Sequence, residues 1–253
     1  MRHYPTILSQ EIRALLFSPI TYVTAVLFLL VMSGLFTVIL DQYSKEALEV
    51  APAVTFFGAF WIPVFFMVPS LTMKSFAEER RMGTLETLLT SPVSTAEVVL
   101  GKFSAAYIFY LLLWGSTLGF HYILHVYAND ARYLDAGPLV GGYLFIAVSG
   151  LLFISVGILA SALTRSYEVA AILTFTILFT LIFGMRFLDQ TAALNTGFLQ
   201  PVKATVDSLQ IMSHVDDFTR GVIDTREVFF YITGSVLALI FSILGVEYKT
   251  LNS

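Results

Sequence analysis

Phe76–Lys102, FAEERRMGTLETLLTSPVSTAEVVLGK, is the only sizeable charged block in this chain, and it stands between two apolar runs of membrane length. Its flanks decide the fold. No Asp, Glu, Lys or Arg occurs between Val50 and Lys74 or between Lys102 and Asp130, and the same holds between Arg13 and Asp41, Asp135 and Arg165, and Glu227 and Glu247. Each interval reaches or approaches the ~20 residues with which a helix crosses the hydrocarbon core. A further run from Val169 to Met185 is shorter but still within the spanning range.

The composition agrees, with 57% hydrophobic and only 13% charged residues and a mean hydropathy of +0.81. Soluble domains carry about 25% charged residues, so a soluble globular class is excluded. The segments lack the period-two alternation of a membrane barrel. The expected fold is therefore an all-α integral membrane protein, one transmembrane domain over 1–253, with six helices near 18–40, 53–74, 103–125, 139–163, 168–188 and 228–247. The first apolar run begins only after about 17 residues and is too long for a secretory signal, so it reads as a retained helix. With no cysteine, disulfide and thiolate chemistry are excluded.

Orientation follows the Lys and Arg near the helix ends. Arg2, Arg13, Lys74, Arg80, Arg81, Lys102, Arg165 and Lys249 fall on one side. Lys45, Arg132, Arg186, Lys203, Arg220 and Arg226 fall on the other, spread over longer loops. Four basic residues concentrated in one connector place the charged block, and both termini, in the cytoplasm.

Residues 4–17, YPTILSQEIRALLF, bring Ile7, Leu8, Ile12, Leu15 and Leu16 near one helical face, away from Ser9, Gln10 and Arg13. This predicts an interfacial helix over 1–17, with Ser18 and Pro19 turning the chain into the first span. Pro63 and Pro69 predict kinks in the second span. Gly115 with Gly119, and Gly150 with Gly157 and Ser161, have the spacing of close helix approach. His121 and His125 stand four apart, a metal-ligand spacing without a third ligand, and read more simply as interfacial residues beside Tyr122 and Tyr127; no metal site is expected.

Within the charged connector, 75–101, Glu78, Glu79, Arg80 and Arg81 follow the second span, Gly83 interrupts, and Thr84 to Leu89 allows a short amphipathic helix ended by Ser91 and Pro92. Ser94 with Glu97 three residues on is a capping-box pattern that predicts a second short helix. Two short helices about a proline form a rigid elbow, which transmits a push that a flexible loop would absorb. Carboxylates beside an anionic leaflet favour a protein partner over lipid head groups. The alternative is a solvated loop whose basic residues only fix topology. Residues 189–227 form the longest external connector, with Asp216, Asp217, Phe218, Arg220 and Asp224 close together. They suit contact with a substrate or an external partner. They suit equally an ordinary i,i+4 pair of Asp216 with Arg220 followed by Gly221 at a helix end.

The run EERRMGTLETLLTSPVSTAEVVLGK resembles the cytoplasmic signature of the ABC transporter type-2 permease family, through Glu78, Glu79, Gly83, Thr84, Glu86, Leu88, Leu89, Pro92, Gly101 and Lys102. QEIRALLFSPITY, Gln10 to Tyr22, is similar to the start of that family, and SHVDDFTRGVIDTREVFFY, Ser213 to Tyr231, is similar to the external segment of its gliding-motility subgroup. The resemblance implies a non-catalytic permease subunit of the bacterial cytoplasmic (inner) membrane, paired with a second permease subunit, identical or paralogous. It implies two separate ABC ATPase subunits that carry the ATP and Mg, and allows an extracytoplasmic auxiliary subunit. Glu78, Glu79, Arg80, Arg81, Gly83, Thr84, Glu86, Leu88, Leu89 and Pro92 would then form the ATPase-coupling element. The chain has no phosphate-cradling G-x-x-x-x-G-K-[ST] loop, so it is expected to bind no cofactor itself. Membrane lipids are its other expected partner, and nucleic acid is not expected. An intramembrane enzyme and an ATPase-coupled scaffold without transport are the alternatives; the scarcity of ionisable residues within the spans weighs against the enzyme.

Overall fold

The computed structural model describes residues 3–45, 51–83, 93–127, 136–184, 186–187 and 210–251. Among them every regular element is helical. In chain order they are α1 (Tyr4–Phe17), α2 (Pro19–Lys45), α3 (Pro52–Gly58), α4 (Trp61–Thr72), α5 (Lys74–Met82), α6 (Thr95–Ser116), α7 (Leu118–Tyr127), α8 (Ala136–Leu163), α9 (Tyr167–Phe179, continued by a π turn at Thr180–Gly184), α10 (Ile211–Thr219) and α11 (Thr225–Leu251).

Among the described residues five helices are long and apolar enough to cross a membrane, and the bent pair α3 with α4–α5, taken as one span, makes a sixth. The six expected spans are all present. Ser18 turns the chain as expected: it is extended (φ −80°, ψ 121°) between α1 and α2. On α2, the residues Thr24, Phe28, Met32, Phe36, Ile39 and Tyr43 are buried at three- and four-residue intervals, so one stripe faces the protein. The opposite face exposes Val23, Val26 and Leu30. An apolar exposed face is what lipid requires.

The kinks expected at Pro63 and Pro69 lie elsewhere. The second span bends by 46° between Gly58 and Trp61. Pro63 sits in the first turn of α4, where a missing N–H costs little, and Pro69 lies inside α4 without ending it.

The fourth span, α8, forms the centre. Inward-facing residues make up 72% of its most apolar window, against 22–28% in α2, α9 and α11. Its small residues let neighbours approach: a Cβ on Gly142 would lie 2.0 Å from Phe57 Cδ2, and one on Gly157 would lie 2.3 Å from Thr72 Oγ1. At Gly115 and Gly119 no such approach is seen among the described residues, where a Cβ at either would meet nothing within 4 Å.

Candidate coupling site

The second span does not stop at the charged block. It runs on as α5, carrying Phe76 through Met82 beyond the apolar stretch and ending at Gly83, whose left-handed φ of 69° closes the helix. At the junction, Ser161 of α8 enters the backbone ladder. Its Oγ accepts from the N–H groups of Phe76 (3.0 Å) and Ala77 (3.1 Å) and donates to the Met73 carbonyl (3.0 Å). A side chain inserted this way satisfies donors that Thr72 and Met73 would otherwise take.

Lys102 is the hub of the site. Only 4% exposed, its ammonium donates to Glu11 Oε1 and to Glu79 Oε1, each at 2.7 Å, and lies 5.4 Å from the centre of the Phe76 ring. One buried cation thus ties α1, α5 and α6 together. Withdrawing an ammonium from water costs several kcal/mol, of the order that two charge-assisted contacts can offset. Around this hub α1 seats closely on α6: Tyr4 Oη donates to Ser104 Oγ at 2.8 Å, and a Cβ on Gly101 would lie 2.6 Å from Ile7 Cγ2.

The two arginines point to other helices. Arg80 Nη2 donates to the Gly245 carbonyl of α11 at 3.4 Å, and the Arg81 guanidinium lies 5.1 Å from the ring centre of Tyr167 at the start of α9. Three consecutive charged residues, Glu79, Arg80 and Arg81, therefore reach three different helices. At the far side of the connector the capping box forms as expected, Ser94 Oγ accepting from Glu97 N–H and Glu97 Oε2 accepting from Ser94 N–H, both at 3.3 Å. It caps α6 itself, however, so the helix expected to start at Ser94 is the third span and not, among the described residues, a separate short one. The third span begins at Thr95, eight residues earlier than expected, because Lys102 is neutralised inside the helix.

Of the expected coupling residues, Glu78, Glu79, Arg80, Arg81 and Gly83 fall within the described part. Thr84, Glu86, Leu88, Leu89 and Pro92 lie outside the described residues. Glu11 escapes a reading of the sequence, because its partner is 91 positions away. The one available signal is its place among the apolar residues of α1 rather than on the polar face.

On the opposite side, α10 ends in two reverse bonds, Gly221 N–H to the Phe218 carbonyl and Val222 N–H to the Asp217 carbonyl, both 3.0 Å, with Gly221 at φ 81°. The glycine helix end is as expected, but no ion pair joins Asp216 and Arg220 among the described residues. Phe218, expected as an external contact, is fully buried against Phe145. Its ring is consumed in anchoring α10, while Asp216 and Arg220 are exposed. His121 is likewise not a wet interfacial residue: it is 5% exposed and surrounded by Phe36, Phe56, Phe57 and Tyr143. His125 is exposed, and among the described residues no group of three metal-ligating side chains converges.

A family model described as ABC-2 family transporter protein matches residues 6–247. No curated protein matches the chain.

Proposed function

The chain belongs to the ABC-2 transporter family, and from that membership we propose that the α5 end of its second span is where a separate ATPase drives it. Membership makes it a multi-pass membrane permease component of an ABC transporter, a class of subunit that is generally non-catalytic. The proposed division of labour within α5 is specific. Glu79, Arg80 and Arg81 brace the helix against α1, α6, α9 and α11, while the helix end at Met82 and Gly83, with Thr84, Glu86, Leu88, Leu89 and Pro92 after it, meets the ATPase.

One observation carries this reading: Lys102 joins the helix that leaves the second span to the interfacial helix and to the third span through 2.7 Å contacts. Force applied beyond Gly83 then reaches three elements at once instead of bending a loop. Both termini and α5 face the cytoplasm of a bacterial inner membrane in this reading, and ATP with Mg is bound by the partner. A second permease subunit completes the pore or the stroke.

The finer assignment, to a gliding-motility type complex with an external auxiliary subunit, is supported by the resemblance of Ser213 to Tyr231. Asp216, Asp217, Arg220 and Asp224 are its proposed contacts.

The test uses Met82, which is 61% exposed and takes no part in the bracing contacts. Met82→Asp, co-expressed with the ATPase chain, should abolish co-purification while the permease remains inserted and monodisperse. A normal complex with this variant overturns the docking assignment.

A further inference from the structure

Beside the Lys102 hub lies a cavity of about 390 Å³, walled by α1, the start of α2, the α4–α5 helix and α6. Its lining is amphipathic. Ile20, Leu71 and Ala106 come from three spans, whereas Gln10, Lys74 and Glu78 come from α1 and α5. Lys102, Glu11 and Glu79 also border it, but the ammonium and these two carboxylates are taken up by one another. That leaves Lys74 and Glu78, and among the described residues neither has an ion-pair partner, not even each other. Four residues apart on one helix, their side chains share a face, with Cβ atoms about 5–6 Å apart.

We infer that this cavity holds the headgroup of a zwitterionic phospholipid bearing a primary ammonium, a phosphatidylethanolamine, with the phosphate at Lys74 and the ammonium at Glu78. A cation and an anion that are unpaired among the described residues, a helical turn apart, match a headgroup carrying the two opposite charges a few bonds apart. An anionic lipid without the ammonium would leave Glu78 facing a like charge. A quaternary ammonium would give Glu78 no N–H to accept. The apolar wall at the depth of the spans suits the first acyl carbons and disfavours a freely soluble zwitterion. The inference rests on this end of α5 lying at a membrane surface. It does not depend on the ATPase reading.

The experiment is native mass spectrometry of the full-length chain released from vesicles of equal dioleoyl phosphatidylethanolamine and dioleoyl phosphatidylcholine, with no ATPase present. Wild type should retain phosphatidylethanolamine about tenfold over phosphatidylcholine, as one charge-assisted bond predicts. Glu78→Gln should erase that preference while still retaining lipid, and Lys74→Gln should lose both lipids. Equal retention of the two lipids by wild type, or a preference that survives Glu78→Gln, overturns the site. Should a variant fail to fold, wild type labelled with a phosphatidylethanolamine carrying a diazirine near the headgroup decides the matter: cross-links within residues 70–82 support the site, and cross-links only elsewhere refute it. Because no ATPase enters the assay, failure here leaves the docking reading standing, and failure of Met82→Asp leaves this one standing.

Discussion

Ser161 and Phe76, 85 positions apart, share a hydrogen bond of 3.0 Å in which a serine hydroxyl on the central helix accepts a backbone N–H of the second span. The same hydroxyl accepts from the Ala77 N–H and donates to the Met73 carbonyl. Ser161→Ala leaves buried donors without an acceptor unless α5 re-forms its own ladder. Either way the splice is lost. The expected cost is about 1–3 kcal/mol, read as a lower thermal midpoint in detergent, together with faster amide exchange at residues 73–77.

Lys102→Met should be the more damaging change, since it strands Glu11 and Glu79 within a half-buried contact. Removing one partner of a buried pair costs about 3–5 kcal/mol. Adding Glu11→Gln and Glu79→Gln to Lys102→Met should recover much of that stability without restoring ATP-driven function. Chemical unfolding of the single and triple variants, alongside a coupled ATPase assay, measures both. A single variant as stable as wild type would remove Lys102 from the hub.

Gly142 and Gly115 should respond oppositely to alanine. At Gly142 the new methyl would lie 2.0 Å from the fully buried ring of Phe57, and overpacking of this kind costs about 1–3 kcal/mol or more. At Gly115 nothing among the described residues lies within 4 Å of such a methyl, and alanine should stabilise the helix by up to about 1 kcal/mol. Thermal midpoints of the two variants check the contrast.

On the external side, Asp216→Ala with Asp217→Ala and Arg220→Ala should impair the transported or mechanical output while ATPase co-purification persists. Phe218→Ala should instead destabilise the fold by about 3–5 kcal/mol, because its ring is packed and fully buried. A functional assay beside a melting curve separates the two outcomes. A triple variant with normal output would make the charges merely structural.

The six spans, the turn at Ser18, the capping box at Ser94 and the glycine end at Gly221 were legible because each is written in neighbouring residues. Hydropathy runs, a proline, a serine with a glutamate three places on: these need no partner elsewhere. The hub was not legible. Lys102 reads as the edge of an apolar run until Glu11 and Glu79 are brought against it, and then it belongs inside a helix. His121 fails for the same reason, since the aromatic rings that surround it come from α2, α3 and α8. Proline misled in a related way. Pro63 marks where a helix begins after a bend, and only the backbone shows that the bend lies before it.

The central position of α8 has a consequence for how the protein is made. Three spans leave the ribosome before α8 does, and Phe57, Thr72 and Tyr110 belong to them, yet each finds its seat against a glycine of α8. Until the fourth span enters the bilayer, the side of each that meets a glycine faces lipid, although Phe57 already has His121 of α7 to stack on. Insertion and assembly are therefore separate stages here, and the late arrival of one notched helix sets the moment at which the earlier ones lock.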